Sequence, residues 1–299
     1  MNTDITQNID KAFDTVVARF FSESTIRAFL NDTEKSFSVL EEFYFLNNQI
    51  ENSFNGKTYR DLFEFAYDHL LKNYRNEYIY KNAIANKILL GKHSLNTSFM
   101  LQEFRVGNCK VDTVVLNGTS NAYEIKSELD SLERLKKQVE TYMQVFDMVH
   151  VITYPGQSKR VKQEVPSSVG LMELTKENRI STIRDAKSGK KKISPSLLFD
   201  SLRRGEYQEI IKIYYGITHD VPNTKAYGFY KEKFVKIDPE IAHDLTIATL
   251  KKRGDNIALK DFILSVPEYF KSLSINGRFS KSETTELQHL LNTKLKTAV

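Results

Sequence analysis

The sequence holds a single cysteine, Cys109. One thiol closes no intrachain disulfide and builds no thiolate zinc cluster, and no histidine lies near it in sequence to activate it. The six histidines form no His-x-x-x-His or similar ligand pair. Gly-x-x-x-x-Gly-Lys is absent, which excludes a Walker-type ATPase or helicase, so any energy-coupled action needs a partner. No apolar run reaches the ~18 residues of a membrane span, and Asp4, Asp10 and Asp14 sit where a secretory signal carries no acids. Together these absences lead to the expectation of a cytoplasmic protein without a membrane partner.

What remains is ample for folding. At 299 residues, 40% hydrophobic, 11% aromatic and 27% charged, the chain is long enough for two or three globular parts with real cores. The net charge of +5 is uneven: residues 1–76 hold 8 Lys+Arg against 12 Asp+Glu, and residues 77–299 hold 35 against 26. A basic second part is compatible with a nucleic-acid partner, although a basic surface also serves solubility.

Apolar spacing divides the chain. Phe13, Val16, Val17, Phe20 and Phe21, then Leu40, Phe43 and Leu46, then Leu62, Phe63, Ala66 and Leu70 recur at helical intervals, so residues 1–72 are expected to be a helical N-terminal region. Residues 76–90 repeat the pattern with Tyr78, Ile79, Ala83, Ile84 and Ile88 before Gly91, placed as a C-cap. Glu77 falls in the first turn of that helix, four residues before Lys81, an ordinary salt-bridge spacing. Residues 98–106 are expected to form a strand. Asp130 and Glu133 have capping-box spacing before a helix through Leu135, Val139, Tyr142 and Phe146. Residues 148–153 form an apolar, β-branched strand, parallel to the one before the helix. A hairpin is expected around residues 176–179. The run 187–192, Lys-Ser-Gly-Lys-Lys-Lys, is expected to be a flexible, solvated loop. Helices follow over 197–204, 207–215, 240–252, 259–266 and 283–295.

The chemistry gathers at residues 111–126. Val111 to Leu116 is rich in β-branched residues, Asn117-Gly118 suits a hairpin turn, and Tyr123, Glu124, Ile125 and Lys126 alternate apolar with charged residues. The period of two puts Glu124 and Lys126 on one face. A three-residue loop pairs Leu116 with Ser120 and sets Asp112 opposite Glu124. A two-residue loop sets Asp112 opposite Tyr123 and sends its carboxylate to the other side. Facing carboxylates repel unless a cation or shared proton resolves the conflict, and hard oxygen ligands suit Mg²⁺ or Mn²⁺. An exposed strand with an ordinary Glu-Lys pair would carry the same tripeptide.

The order helix, three strands, helix, strand, with Asp112 on the second strand and Glu124-Ile125-Lys126 on the third, resembles the PD-(D/E)XK nuclease superfamily over residues 74–186. Gln138 and Tyr142, at i and i+4 on the next helix, resemble the Gln-x-x-x-Tyr pattern of its recombination-type exonuclease branch. Val111 stands where the superfamily's proline would be, a variation that removes no ligand. The resemblance implies a restriction-endonuclease-like α/β core with a mixed sheet over residues 73–192, flanked by helical regions at 1–72 and 193–299. It implies Asp112 and Glu124 as ligands of Mg²⁺ or Mn²⁺ and Glu77 as a first-helix acid near the metal. Lys126 would position the attacking water, and Gln138 and Tyr142 would support the substrate. The implied function is a metal-dependent nuclease, with DNA the favoured substrate and a protein partner or oligomer compatible with it. The alternatives are a non-catalytic nucleic-acid-binding or regulatory protein on the same platform, and an interaction module dominated by the helical flanks.

Overall fold

The computed structural model describes residues 2–47, 52–216, 221–254 and 259–295. By compactness the chain divides into two units, Met1–Asn86 with Leu259–Val299, and Lys87–Ala258. The division differs from the expected boundaries at 72/73 and 192/193. Helices that follow residue 193 share one apolar core with the strands, where Phe199, Ile210 and Phe234 meet Val114, Ala122 and Val151. Periodicity marks a helix's apolar face but not the surface that will cover it.

The first unit begins with α1 (Asn2–Arg19), α2 (Glu23–Leu30), α3 (Glu34–Leu46), α4 (Tyr59–Asn73) and α5 (Glu77–Ala83). Ser22 caps α2 through the Thr25 amide, and Thr58 with Asp61 forms a capping box that opens α4. Phenylalanine supplies the packing. Phe63 is wholly buried, with ring centroids 6.1 Å from Phe20, 5.8 Å from Phe29 and 4.8 Å from Phe270. After α5 the backbone widens into a π-helix over Ile84–Leu90, and helical backbone runs on through Gly91, so that glycine is no C-cap.

The second unit carries β1 (Phe99–Val106), β2 (Cys109–Leu116), β3 (Ser120–Lys126), α6 (Leu135–Tyr142), β4 (Met148–Thr153), α7 (Ser158–Glu164), β5 (Gly170–Leu174) and β6 (Ile180–Arg184). Four helices follow: α8 (Pro195–Asp200), α9 (Arg204–Tyr215), α10 (Asn223–Phe234) and α11 (Pro239–Leu250). The fold is α/β, with one six-stranded mixed sheet in the order β1-β2-β3-β4-β5-β6, flanked by helices. β3, β4 and β5 run parallel, and the other pairs are antiparallel. β4 is buried along nearly its whole length, as its unbroken apolar run requires of a central strand. The sequence of this unit holds 28 Lys+Arg against 21 Asp+Glu, while the other unit holds 15 against 17.

Three local expectations change. Asp130 does not cap a helix; its Oδ2 accepts from the Ser127 amide at 2.9 Å and the Ser127 hydroxyl at 2.6 Å, closing a turn, so α6 starts only at Leu135. The lysine run is anchored rather than loose. The Lys190 amide donates to Asp147 Oδ1 at 3.1 Å, the Gly189 amide to the Asp147 carbonyl at 2.8 Å, and Ser188 also bonds that carboxylate. Helix α10 is absent from the sequence reading, although Ala226, Tyr230 and Phe234 form its buried stripe.

The chain then returns to the first unit with α12 (Lys260–Ser265), α13 (Lys271–Asn276) and α14 (Lys281–Asn292). No described helix is long and apolar enough to cross a membrane.

Candidate functional site

The β2–β3 turn decides the site. Leu116 pairs with Ser120, leaving the three-residue loop Asn117-Gly118-Thr119, with Gly118 at φ +96° and the Asn117 amide bonded to the Thr119 carbonyl at 3.0 Å. Gly118 needs its missing Cβ at such a φ. The same register, followed past Thr113↔Tyr123, places Asp112 across from Glu124. The paired register ends at Thr113↔Tyr123, and beyond it the Ile125 amide donates to Asp112 Oδ2 at 2.6 Å.

Glu124 and Lys126 share the face of β3 that α6 covers, and both are buried, at 1% and 5% exposure. Lys126 Nζ donates to Glu124 Oε1 at 2.7 Å and to Gln138 Oε1 at 3.1 Å. The Tyr142 hydroxyl lies 2.9 Å from both Glu124 Oε2 and the Lys110 carbonyl oxygen, with one proton to offer the two. One turn of α6 separates Gln138 from Tyr142, so the helix presents both to the same strand. Burial, then the negative charges of Glu124 and Asp112, push the Tyr142 phenol far above its ordinary range, and it remains a proton donor. Asp112, Glu124, Lys126, Gln138 and Tyr142 are thus brought together. Glu77 belongs to the other unit, where its carboxylate pairs with Lys81 at 2.6 Å across one helical turn.

Sequence reasoning missed Glu103. Its neighbours pair as Gln102↔Thr113 and Phe104↔Val111, so it stands opposite Asp112, and their carboxylates bring oxygens within 4.8 Å of each other. Glu103 adopts φ +55°, a costly conformation for a residue with a long side chain, and it also pairs with Lys110. The signal was present in Gly107-Asn108: a two-residue turn there pairs Val106 with Cys109 and fixes Glu103 against Asp112.

The charge balance of Asp112, Glu124 and Lys126 is one negative. A carboxylate oxygen has two lone-pair directions, so an acid that accepts a hydrogen bond can also hold a metal ion. An all-oxygen donor set of this kind fits Mg²⁺ or Mn²⁺ and fits thiophilic metals poorly.

A family model described as Bacteriophage P4 protein cII matches residues 71–261, which contain the whole sheet and all the residues named above. Protein cII of Enterobacteria phage P4 is 28% identical over 134 residues, 44% of this chain and 50% of that protein. The chain therefore spans about half the length of the curated relative it matches. No solved structure matches it.

Proposed function

The chain belongs to the bacteriophage P4 protein cII family, a membership that fixes no chemistry by itself, and from its site we propose that it is a metal-dependent nuclease acting on nucleic acid, DNA first. One observation carries the reading: two charged residues of β3 are buried and bonded to Gln138 and Tyr142 of the next helix, beside a third ionisable group, Asp112. Burying an ion pair costs more than packing apolar residues in its place, so stability alone does not account for this arrangement. The order of a helix, three antiparallel strands, a helix and a parallel strand supports a restriction-endonuclease-like core. The basic excess of the sheet unit supports a polyanionic substrate.

In this reading Asp112 and Glu124 hold the divalent ion, with Glu103 beside Asp112. When bound, the ion supplies positive charge for the phosphoryl oxygens and makes water more acidic. The chain's own groups do the positioning. Tyr142 and Lys126 fix the Glu124 carboxylate by one oxygen each, and Gln138 holds the Lys126 ammonium beside that carboxylate. Action on nucleic acid in the cytoplasm is the matching location.

A second reading, a non-catalytic nucleic-acid-binding or regulatory protein, draws on the same bonds: both Glu124 oxygens and the Lys126 ammonium already have partners within the fold. Labelled DNA and RNA incubated with Mg²⁺, Mn²⁺ or EDTA separate the two. A nuclease cleaves with the metals, stops in EDTA, and loses cleavage in Glu124→Gln and Lys126→Ala. Salt-sensitive binding with no cleavage under any condition establishes the second reading instead.

A further inference from the structure

We infer that the anchored lysine turn at residues 187–192 is a phosphate-binding site, separate from the cluster around Glu124. The inference rests on the nucleic-acid reading of this protein for the source of the phosphate, a backbone phosphate of the polymer. In the sequence the turn is a run of four lysines, which solvation alone explains. The fold adds two features that solvation does not require: a fixed backbone and a cavity.

The backbone is tied along its whole length. The Lys187 amide donates to the Ser168 carbonyl, the Gly189 amide to the Asp147 carbonyl and the Ser194 amide to the Gln144 carbonyl, each at 2.8 Å. Asp147 Oδ1 accepts from the Ser188 hydroxyl and from the Lys190 amide, and the Lys190 ammonium is spent on Asp244 at 2.6 Å. Lys187 and Lys192 are exposed and pair with no carboxylate among the described residues. Both line a cavity of about 50 Å³, together with Ser168, Ser188, Phe146 and Val169.

A cavity of that size has roughly the room of four waters, so it suits an oxyanion with four oxygens and is too small for a base. Two ammonium groups and two hydroxyls supply its donors, and the apolar walls keep solvent from screening the charges. Asp147 also lines the cavity, but its oxygens are engaged, Oδ1 in the turn and Oδ2 by the Thr119 hydroxyl at 2.5 Å. Residues 185–192 hold four lysines against one acid, Asp185. Because the turn is fixed before a ligand arrives, little ordering entropy is lost on binding. The turn closes the C-terminal end of α6, while Gln138 in the same helix meets Lys126. Ser120, bonded to the Asp147 amide at 3.0 Å, opens β3, and Lys126 ends it, about 20 Å further along the strand. One strand of a duplex covers that length with about six phosphates, so a contact at the turn holds the polymer without occupying the candidate site.

The experiment measures the anisotropy of a labelled DNA duplex against the full chain in EDTA, over a series of salt concentrations. K187Q/K192Q is expected to flatten the slope of log affinity on log salt by about 0.9, the value for one lost phosphate. Ser188→Ala keeps every charge and loosens the turn, and is expected to weaken binding about fivefold. K225Q/K236Q removes as much charge elsewhere in the sheet unit and is expected to leave slope and affinity unchanged. Thermal unfolding of each variant verifies folding. Equal losses from the two double variants, or full affinity in Ser188→Ala, overturns the inference. If K187Q/K192Q binds DNA as the unaltered chain does, inorganic phosphate at matched ionic strength decides the rest. A melting temperature raised in the unaltered chain alone assigns the site to a free phosphate, and no rise overturns the site altogether. Because EDTA stops cleavage, the outcomes stay distinct: absence of cleavage with turn-dependent binding removes the nuclease reading alone, and cleavage with turn-independent binding removes this inference alone.

Discussion

Each unit of the protein buries a lysine, and the two are satisfied in different ways. Lys271, in the helical unit, donates to the carbonyl oxygens of Ile263, Leu264 and Val266 at 2.6, 3.0 and 2.7 Å. All three of its protons close the C-terminal end of α12, where helix carbonyls lack partners. Burial lowers its pKa from the ordinary lysine range, and the Glu268 charge opposes that shift. Lys126, in the sheet unit, donates instead to two side chains, Glu124 and Gln138, and its third proton meets no acceptor among the described residues. A lysine saturated by backbone is part of the scaffold. One held by a carboxylate and an amide side chain ties β3 to α6 within the candidate site.

The sharpest way to break this comparison is to exchange both lysines for methionine, one at a time. Lys126→Met is expected to lower cleavage by about a thousandfold, within the range for losing a positioned acid–base or electrostatic group. Lys271→Met is expected to leave cleavage per folded molecule unchanged and to cost about 2–3 kcal/mol in urea denaturation. Equal effects of the two on cleavage would remove the distinction. The helical unit should answer most to loss of a ring. Phe63→Ala is expected to cost about 4 kcal/mol, read as a lower urea midpoint by circular dichroism, because four phenylalanine rings lose their contact.

The sheet unit also carries a pH-dependent contribution that sharpens the contrast. His150 stacks on Tyr123 at 4.8 Å, and burial lowers its pKa to about 4. Between pH 6.5 and 4 the unfolded chain binds a proton that the folded chain does not, so the contribution is complete above pH 6.5 and is lost as the pH falls towards 4. The expected loss is about 3 kcal/mol, measured by urea titrations across that window, and His150→Phe is expected to flatten it. A slope unchanged in His150→Phe assigns the effect to other groups. The smallest expected effect is at the turn. Gly118→Ala meets open space but must hold φ +96°, so it is expected to cost about 1 kcal/mol in the same denaturation assay and to keep the register.

Much of the candidate site was legible because β-strand pairing is arithmetic. Once Asn117-Gly118-Thr119 is taken as a three-residue loop, Asp112 must stand across from Glu124, and helical spacing carries Gln138 and Tyr142 to one face. Glu103 was equally available by register but required reading Gly107-Asn108 as a turn. The anchored lysine run was not legible, since its anchor, Asp147, lies 41 residues before Ser188 and 43 before Lys190. Nor was the grouping of helices: α8–α11 have apolar faces that suit any apolar surface.

Local rules, then, set by the sequence alone, determined the strands and most of the helices, the odd-numbered loop, and the shared face of Glu124 and Lys126, because turn chemistry and side-chain period act over a few residues. Tertiary structure decided which residues are buried together. It closed Lys126 onto Glu124 and Gln138, set Tyr142 between Glu124 and the Lys110 carbonyl, gave Lys271 to backbone and Lys126 to side chains, and divided the chain into its two units. The physical reason is that desolvation and long-range hydrogen bonding depend on neighbours far apart in sequence, and no local pattern encodes which neighbours those will be.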